Sequence, residues 1–177
     1  PLIGQAGKKH NAAISPDETR IAFAWDGGRG EEISPGDIYV KVIGTDGPPQ
    51  RLTTAPEDDS HPCWTPDGKY VTFIRHLSGK REVLRVPANG GPEQKLAETA
   101  SAASWSPDGK RILYSVGSGS QEELAVINIK TRTLNQITSN NVRDTYPSWS
   151  PDGKKILFVS EIDGDLDIYY TKFNDLP

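Results

Sequence analysis

The chain has 177 residues, 34% hydrophobic and 25% charged, with a formal net charge of −4. That length allows a sizeable core in one or two domains, and the mixture is that of a soluble globular protein. Basic residues are scattered, which argues against a nucleic-acid or anionic-membrane partner. No apolar run is long enough to span a membrane. No signal-peptide pattern is visible, and a start at Pro1 without Met reads as a processed product or an excised piece. The single cysteine, Cys63, excludes an intrachain disulfide.

In chain order, the opening "PLIGQAGKKHNAAISP" aligns without a gap on "RLTTAPEDDSHPCWTP", placing Leu2 on Leu52 and Ser15 on Thr65. "ISPDETRIAFAW" follows from Ile14, and its pattern returns as "WTPDGKYVTFIR" from Trp64, "WSPDGKRILYSV" from Trp105 and "WSPDGKKILFVS" from Trp149. Anchored on Ser15, Thr65, Ser106 and Ser150, the unit repeats at intervals of 50, 41 and 44 residues. The first unit carries five extra residues within "DGGRGEEISPGD", 26–37. Such self-similarity marks an array of one supersecondary unit.

Each unit reads as four short strands. Strand A is "HPCWT" or "YPSWS", strand B "YVTFIR" or "KILFVS", strand C "DIYVKV" or "DIYYTK", and strand D "QRLT" or "NQIT". All are rich in β-branched and aromatic residues and are separated by Gly, Pro, Asp and Asn. SPDGK joins A to B: Pro presets the second position of a type I turn, Asp accepts local backbone bonds, and Gly takes the left-handed position. Glu18 stands where the other units have Gly68, Gly109 and Gly153, so the first turn is expected to be strained or differently shaped. Strand B is apolar on both faces, as in a sheet covered on both sides.

Four-stranded sheets repeated in this way and buried on both faces predict an all-β propeller of antiparallel blades. The blades span approximately 10–53, 60–97, 101–138 and 145–174, the last completed by residues 1–4, in a single domain 1–177. The array either closes alone or joins a second copy in an eight-bladed, two-fold ring, a homodimer.

The residues "YPSWSPDGKKILFVSEIDGDLDIYY" and "GDIYVKVIGTDGPPQRLTT" resemble TolB-type, WD-repeat-like propeller repeats. The resemblance covers essentially the whole chain and implies the fold more than a function. Similar repeats form the propeller of periplasmic TolB. They also form domains appended to bacterial regulators and kinases, and gating domains of some serine peptidases. The resemblance therefore implies a bacterial protein of the periplasm or cell envelope, with a cytoplasmic place as the alternative.

Chemistry-bearing residues are sparse. Trp64, Trp105 and Trp149 recur at one repeat position, as inter-blade packing requires, and Cys63 occupies a slot for a small residue. His10, His61 and His76 form no metal-binding motif, and "DGDLD", 163–167, departs from a calcium loop at Ile168 and Asn174. "GSGS", 117–120, lacks the lysine of a phosphate loop. No cofactor, metal or catalytic set is expected. The faces differ, however. A–B turns are tight and uniform, whereas the D–A loops "GQAGKKHN", "TAPEDDSH" and "SNNVRDTY" vary and are polar, and the insertion is a B–C loop. Function concentrates on such loops over a rigid scaffold.

The expected role is thus a non-catalytic protein-interaction or ligand-sensing scaffold. A protein or small polar ligand would bind at the channel mouth through Lys9, His10, Asn11, Asp59, His61, Arg143, Asp144 and Tyr146, then through Arg29, Glu31 and Glu32. The alternatives are a propeller that gates or supports a peptidase or lyase, and a purely structural, self-assembling fragment.

Overall fold

The computed structural model describes residues 3–28, 35–99, 103–118 and 121–174, which contain strands and no helix. The strands fall into four antiparallel sheets of the propeller-blade type. Sheet 1 comprises β1 (Lys9–Ile14), β2 (Arg20–Trp25), β3 (Asp37–Val42) and β4 (Gln50–Arg51). Sheet 2 comprises β5 (Asp58–Trp64), β6 (Tyr70–Leu77), β7 (Lys80–Pro87) and β8 (Gln94–Thr99). Sheet 3 comprises β9 (Ala103–Trp105), β10 (Arg111–Ser118), β11 (Gln121–Asn128) and β12 (Leu134–Gln136). Sheet 4 comprises β13 (Asp144–Trp149), β14 (Lys155–Ser160) and β15 (Asp167–Lys172). Within each sheet the spatial order is the chain order. The strand expected to complete sheet 4 begins at residues 1 and 2, which lie outside the described residues.

The anchor residue explains why every unit starts the same way. Ser106 Oγ donates to Asp108 Oδ1 at 2.6 Å and accepts from Arg111 N at 3.0 Å, while Gly109 N donates to Ser106 O at 2.9 Å. Thr65 with Asp67, and Ser150 with Asp152, repeat this bonding. The first turn keeps the same shape despite Glu18: Glu18 N donates to Ser15 O at 2.8 Å, with φ 60° beside 69° at Gly153. Of the two expected outcomes, strain is the one observed. The Ser15 hydroxyl and the Thr19 amide and hydroxyl hold the exposed Asp17 carboxyl at a pKa of about 2.

The "LT" of strand D also has a reason. Leu52 N donates to Ile38 O at 2.8 Å, and Thr53 Oγ1, fully buried, accepts from Ile38 N at 2.9 Å. Thr138 does the same for Leu124 N. A buried amide left unpaired would cost about 1–3 kcal/mol, so the threonine closes the blade's outer edge.

The chain divides into two compact units, Pro1–Ala97 and Glu98–Pro177. In the first, Ala22, Ala24, Ile38, Val40 and Leu52 pack on Trp64, Val71, Phe73, Leu84 and Val86. Trp64 also donates through Nε1 to Ala13 O at 3.0 Å and lies under the Arg20 guanidinium. Trp64 thus packs sheet 2 against sheet 1. In the second unit, Leu113, Leu124 and Val126 meet Ile156 and Phe158, with Trp149 edge-on to Phe173 at 4.7 Å. Strand B is buried on both faces in sheets 1 to 3, as expected, but β14 alternates, leaving Leu157 47% exposed.

Candidate functional site

The side chains of the loop face are aimed by a β-bulge that recurs in strand A. Register shifts fall between His10 and Ala13, Ser60 and Cys63, and Thr145 and Ser148. Within them Asn11, His61 and Tyr146 take φ of 51°, 51° and 50°. A bulge bends the strand and re-aims a side chain, and a non-glycine residue in this region carries strain. All three residues are exposed, Tyr146 by 62%. They share one repeat position, so three different side chains are presented by the same backbone device. The aligned column was legible from the repeats, but the bulge was not, since no glycine marks it.

In the first unit the bulges gather the chain's three histidines. Ser60 Oγ lies 2.7 Å from His76 Nε2 and 3.0 Å from His61 Nδ1. His10 Nδ1 bonds Asn11 Oδ1, and Asp58 Oδ1 accepts from Gly36 N at 2.7 Å. The fit at Gly36 is close: a Cβ would stand 3.2 Å from Asp59 O and 3.3 Å from Asp58 Oδ1. Burial pushes His76 below the usual imidazole value. Asp58 opposes this, and Arg81 and His10 reinforce it. Lys9 folds back, its ammonium bonding Gln5 O and lying over the Trp25 ring.

Asp59, expected on the rim, lies beneath it, fully buried. Both its oxygens accept from Arg75, through Nε and Nη2 at 2.8 Å each, and Arg75 continues to Glu93 at 2.6 and 3.0 Å. The carboxylates hold the guanidinium's pKa above its usual value. The residue is an internal brace, and no sequence pattern had marked Arg75 or Glu93.

In the second unit Asp144 is likewise fully buried, with Oδ2 accepting from Asn140 Nδ2 at 3.2 Å. Glu123 Oε1 accepts from the Asn140 and Asn141 amides and shapes the D–A loop. Arg143 reaches Glu122 at 3.8 Å and stays 42% exposed at the rim beside Tyr146. The structure therefore brings His10, Asn11 and His61 together in one unit, and Arg143, Asp144 and Tyr146 in the other. Arg29, Glu31 and Glu32 lie outside the described residues. Among the described residues no group of three or more His, Cys, Asp or Glu is placed to hold a metal ion.

Residues 93–176 match the family model described as the TolB beta propeller domain. The chain is 30% identical over 115 residues to the uncharacterized peptidase YuxL of Bacillus subtilis, covering 62% of this chain and 17% of that protein. It is 29% identical over 113 residues to the Tol-Pal system protein TolB of Francisella tularensis, covering 59% of this chain and 26% of that protein. The chain thus spans well under a third of either relative's length. Among solved structures it is similar to a puromycin-hydrolyzing peptidase of Mycobacterium tuberculosis, with TM-score 0.77, 16% identity, and coverage of 97% of this chain and 28% of that one. It is also similar to an oligogalacturonate lyase of Vibrio parahaemolyticus, with TM-score 0.68, 16% identity, and coverage of 90% and 47%. At such identities the structural likeness carries the fold alone.

Proposed function

For a chain built of TolB-type propeller repeats, we propose a non-catalytic scaffold that binds a protein partner through the face formed by its D–A and B–C loops. The observation that carries this reading is the repeated bulge, which holds Asn11, His61 and Tyr146 outward at strained φ over buried sheets. Strain maintained at one exposed position across repeats is better explained by presentation than by packing. Lys9 and His10 in one unit, and Arg143 in the other, add cationic and imidazole groups to the bulge positions of their own units, the composition of a polar, partly wet interface. Similarity to a Tol-Pal system protein supports a protein partner in the bacterial periplasm or cell envelope.

A second reading, a propeller that supports a peptidase or lyase, is favoured by the similarity to YuxL and to the lyase fold. The two separate in one capture experiment. The immobilised chain is compared with an Arg143→Glu, Tyr146→Ala variant and with a Lys69→Ala, Lys154→Ala variant at exposed positions of the A–B turns. We expect an envelope protein captured by the wild type to be lost from the first variant and kept by the second. Equal capture by all three chains would overturn the loop-face reading. Capture of a catalytic domain through the turn face would favour the second reading.

A further inference from the structure

The two units treat the same internal position differently. In β5 and β6 the buried Asp59 is paired in register with Arg75, and the guanidinium satisfies both carboxylate oxygens. In β13 and β14 the equivalent partners are Asp144 and Ser160. Both are fully buried, and Asp144 Oδ1 and Ser160 Oγ have no hydrogen-bond partner. Glu122, 5% exposed, also has an unpartnered oxygen, Oε2.

Strand alternation puts the three side chains on the facing surfaces of sheets 3 and 4. Ser160 lies on the face of β14 that carries Ile156 and Phe158, and Glu122 on the face of β11 that carries Leu124 and Val126. Those four apolar residues pack together in one core cluster. Asp144 sits opposite Ser160 at the same end. Two carboxylates and a hydroxyl therefore lie at the end of the sheet pair where the other unit holds a cation. A buried carboxylate oxygen without a donor is costly, and Arg143 meets only the Glu122 end, at 3.8 Å, with its Nε unpartnered.

We propose that Asp144, Glu122 and Ser160 form a receptor for a guanidinium or ammonium group, supplied by a basic side chain of the partner entering beside Arg143 and Tyr146. The inference rests on the loop-face reading and adds the chemistry of what is bound. A planar guanidinium matches the site because a carboxylate takes it bidentately, as Asp59 takes Arg75. Arg143 turns to solvent as the ligand's cation replaces it beside Glu122.

The test uses agmatine as the probe and butylurea, in which a neutral urea replaces the guanidinium and the ammonium is absent, as the uncharged control, titrated calorimetrically into the whole chain. Saturable agmatine binding is expected, with none for butylurea. Asp144→Asn should weaken agmatine binding by about tenfold or more, the worth of a charge-assisted bond. Ser160→Arg should abolish it by supplying the cation from within, and should raise the melting temperature. If Ser160→Arg does not fold, the near-isosteric Asp144→Asn decides alone. No saturable binding to the wild-type chain, equal binding of butylurea, or agmatine binding unchanged in Asp144→Asn overturns the proposal. Partner capture that persists without agmatine binding would sink this site and leave the loop-face reading standing. Agmatine binding without loop-face capture would do the reverse.

Discussion

Replacing Arg75 by Met would leave Asp59, with none of its surface exposed, as an unpaired buried carboxylate. Breaking such a pair from one side costs about 3–5 kcal/mol, which urea unfolding of the Arg75→Met variant would read directly. His76 makes a second prediction at this scale. Its folded pKa lies below the ordinary 6.5, first because of burial, with Asp58 opposing and Arg81 and His10 reinforcing. His61 and the Ser60 hydroxyl complete its surroundings. Below pH 6.5 the unfolded chain therefore binds the proton more readily, and stability falls as pH drops from 6.5 toward the folded value. We expect His76→Gln to flatten that part of the stability profile. An unchanged slope in the variant would assign the acid sensitivity elsewhere. At this scale the sequence was least informative. His61 and Tyr146 could be placed on the rim because the repeats align them. The burial of Asp59 and Asp144 could not be read, since their register partners Arg75 and Ser160 stand ten residues past each anchor, where the repeats share no residue type.

The strand and turn carry most of what was legible. Apolar period, Pro, Asp and Gly together locate strand B and the turn before it, because each residue type has one local physical role. The structure adds that the Ser or Thr hydroxyl pins the turn from both sides, through the Asp carboxylate and the strand B amide. Gly153, at φ 69°, has room for a Cβ, with Pro107 Cδ at 3.6 Å. Gly153→Ala should thus cost about 1 kcal/mol through backbone strain alone, measurable as a lower denaturation midpoint. Glu18→Gly, which relieves the same strain at φ 60°, should change stability in the opposite direction or not at all. The bulge was invisible because its positive-φ residues are Asn, His and Tyr rather than Gly. Tyr146→Ile, a β-branched residue at φ 50°, should destabilise by about 1–3 kcal/mol.

Across the whole chain, four repeats of one sheet were readable from spacing alone, and the last sheet differs from the third in its exposure. Leu113 in sheet 3 is fully buried, whereas Leu157 at the same repeat position in sheet 4 is 47% exposed. It is paired with Tyr170, 63% exposed, and Val159 is paired with Ile168, 70% exposed. Among the described residues β15 ends its sheet, and the exposed apolar side chains there are suited to a second copy of the chain. Light scattering is expected to give a mass that rises above 19.3 kDa with concentration, and Ile168→Lys should suppress the rise. A mass of 19.3 kDa at every concentration would contradict it.

The measurement that bears most directly on the scaffold role is hydrogen exchange of the chain with and without its captured partner. Protection is expected at residues 8–11, 58–61 and 139–146, with the A–B turns at 15–19 and 150–154 unchanged. Protection confined to those turns, with the bulged strand starts exchanging as in the free chain, would contradict the account.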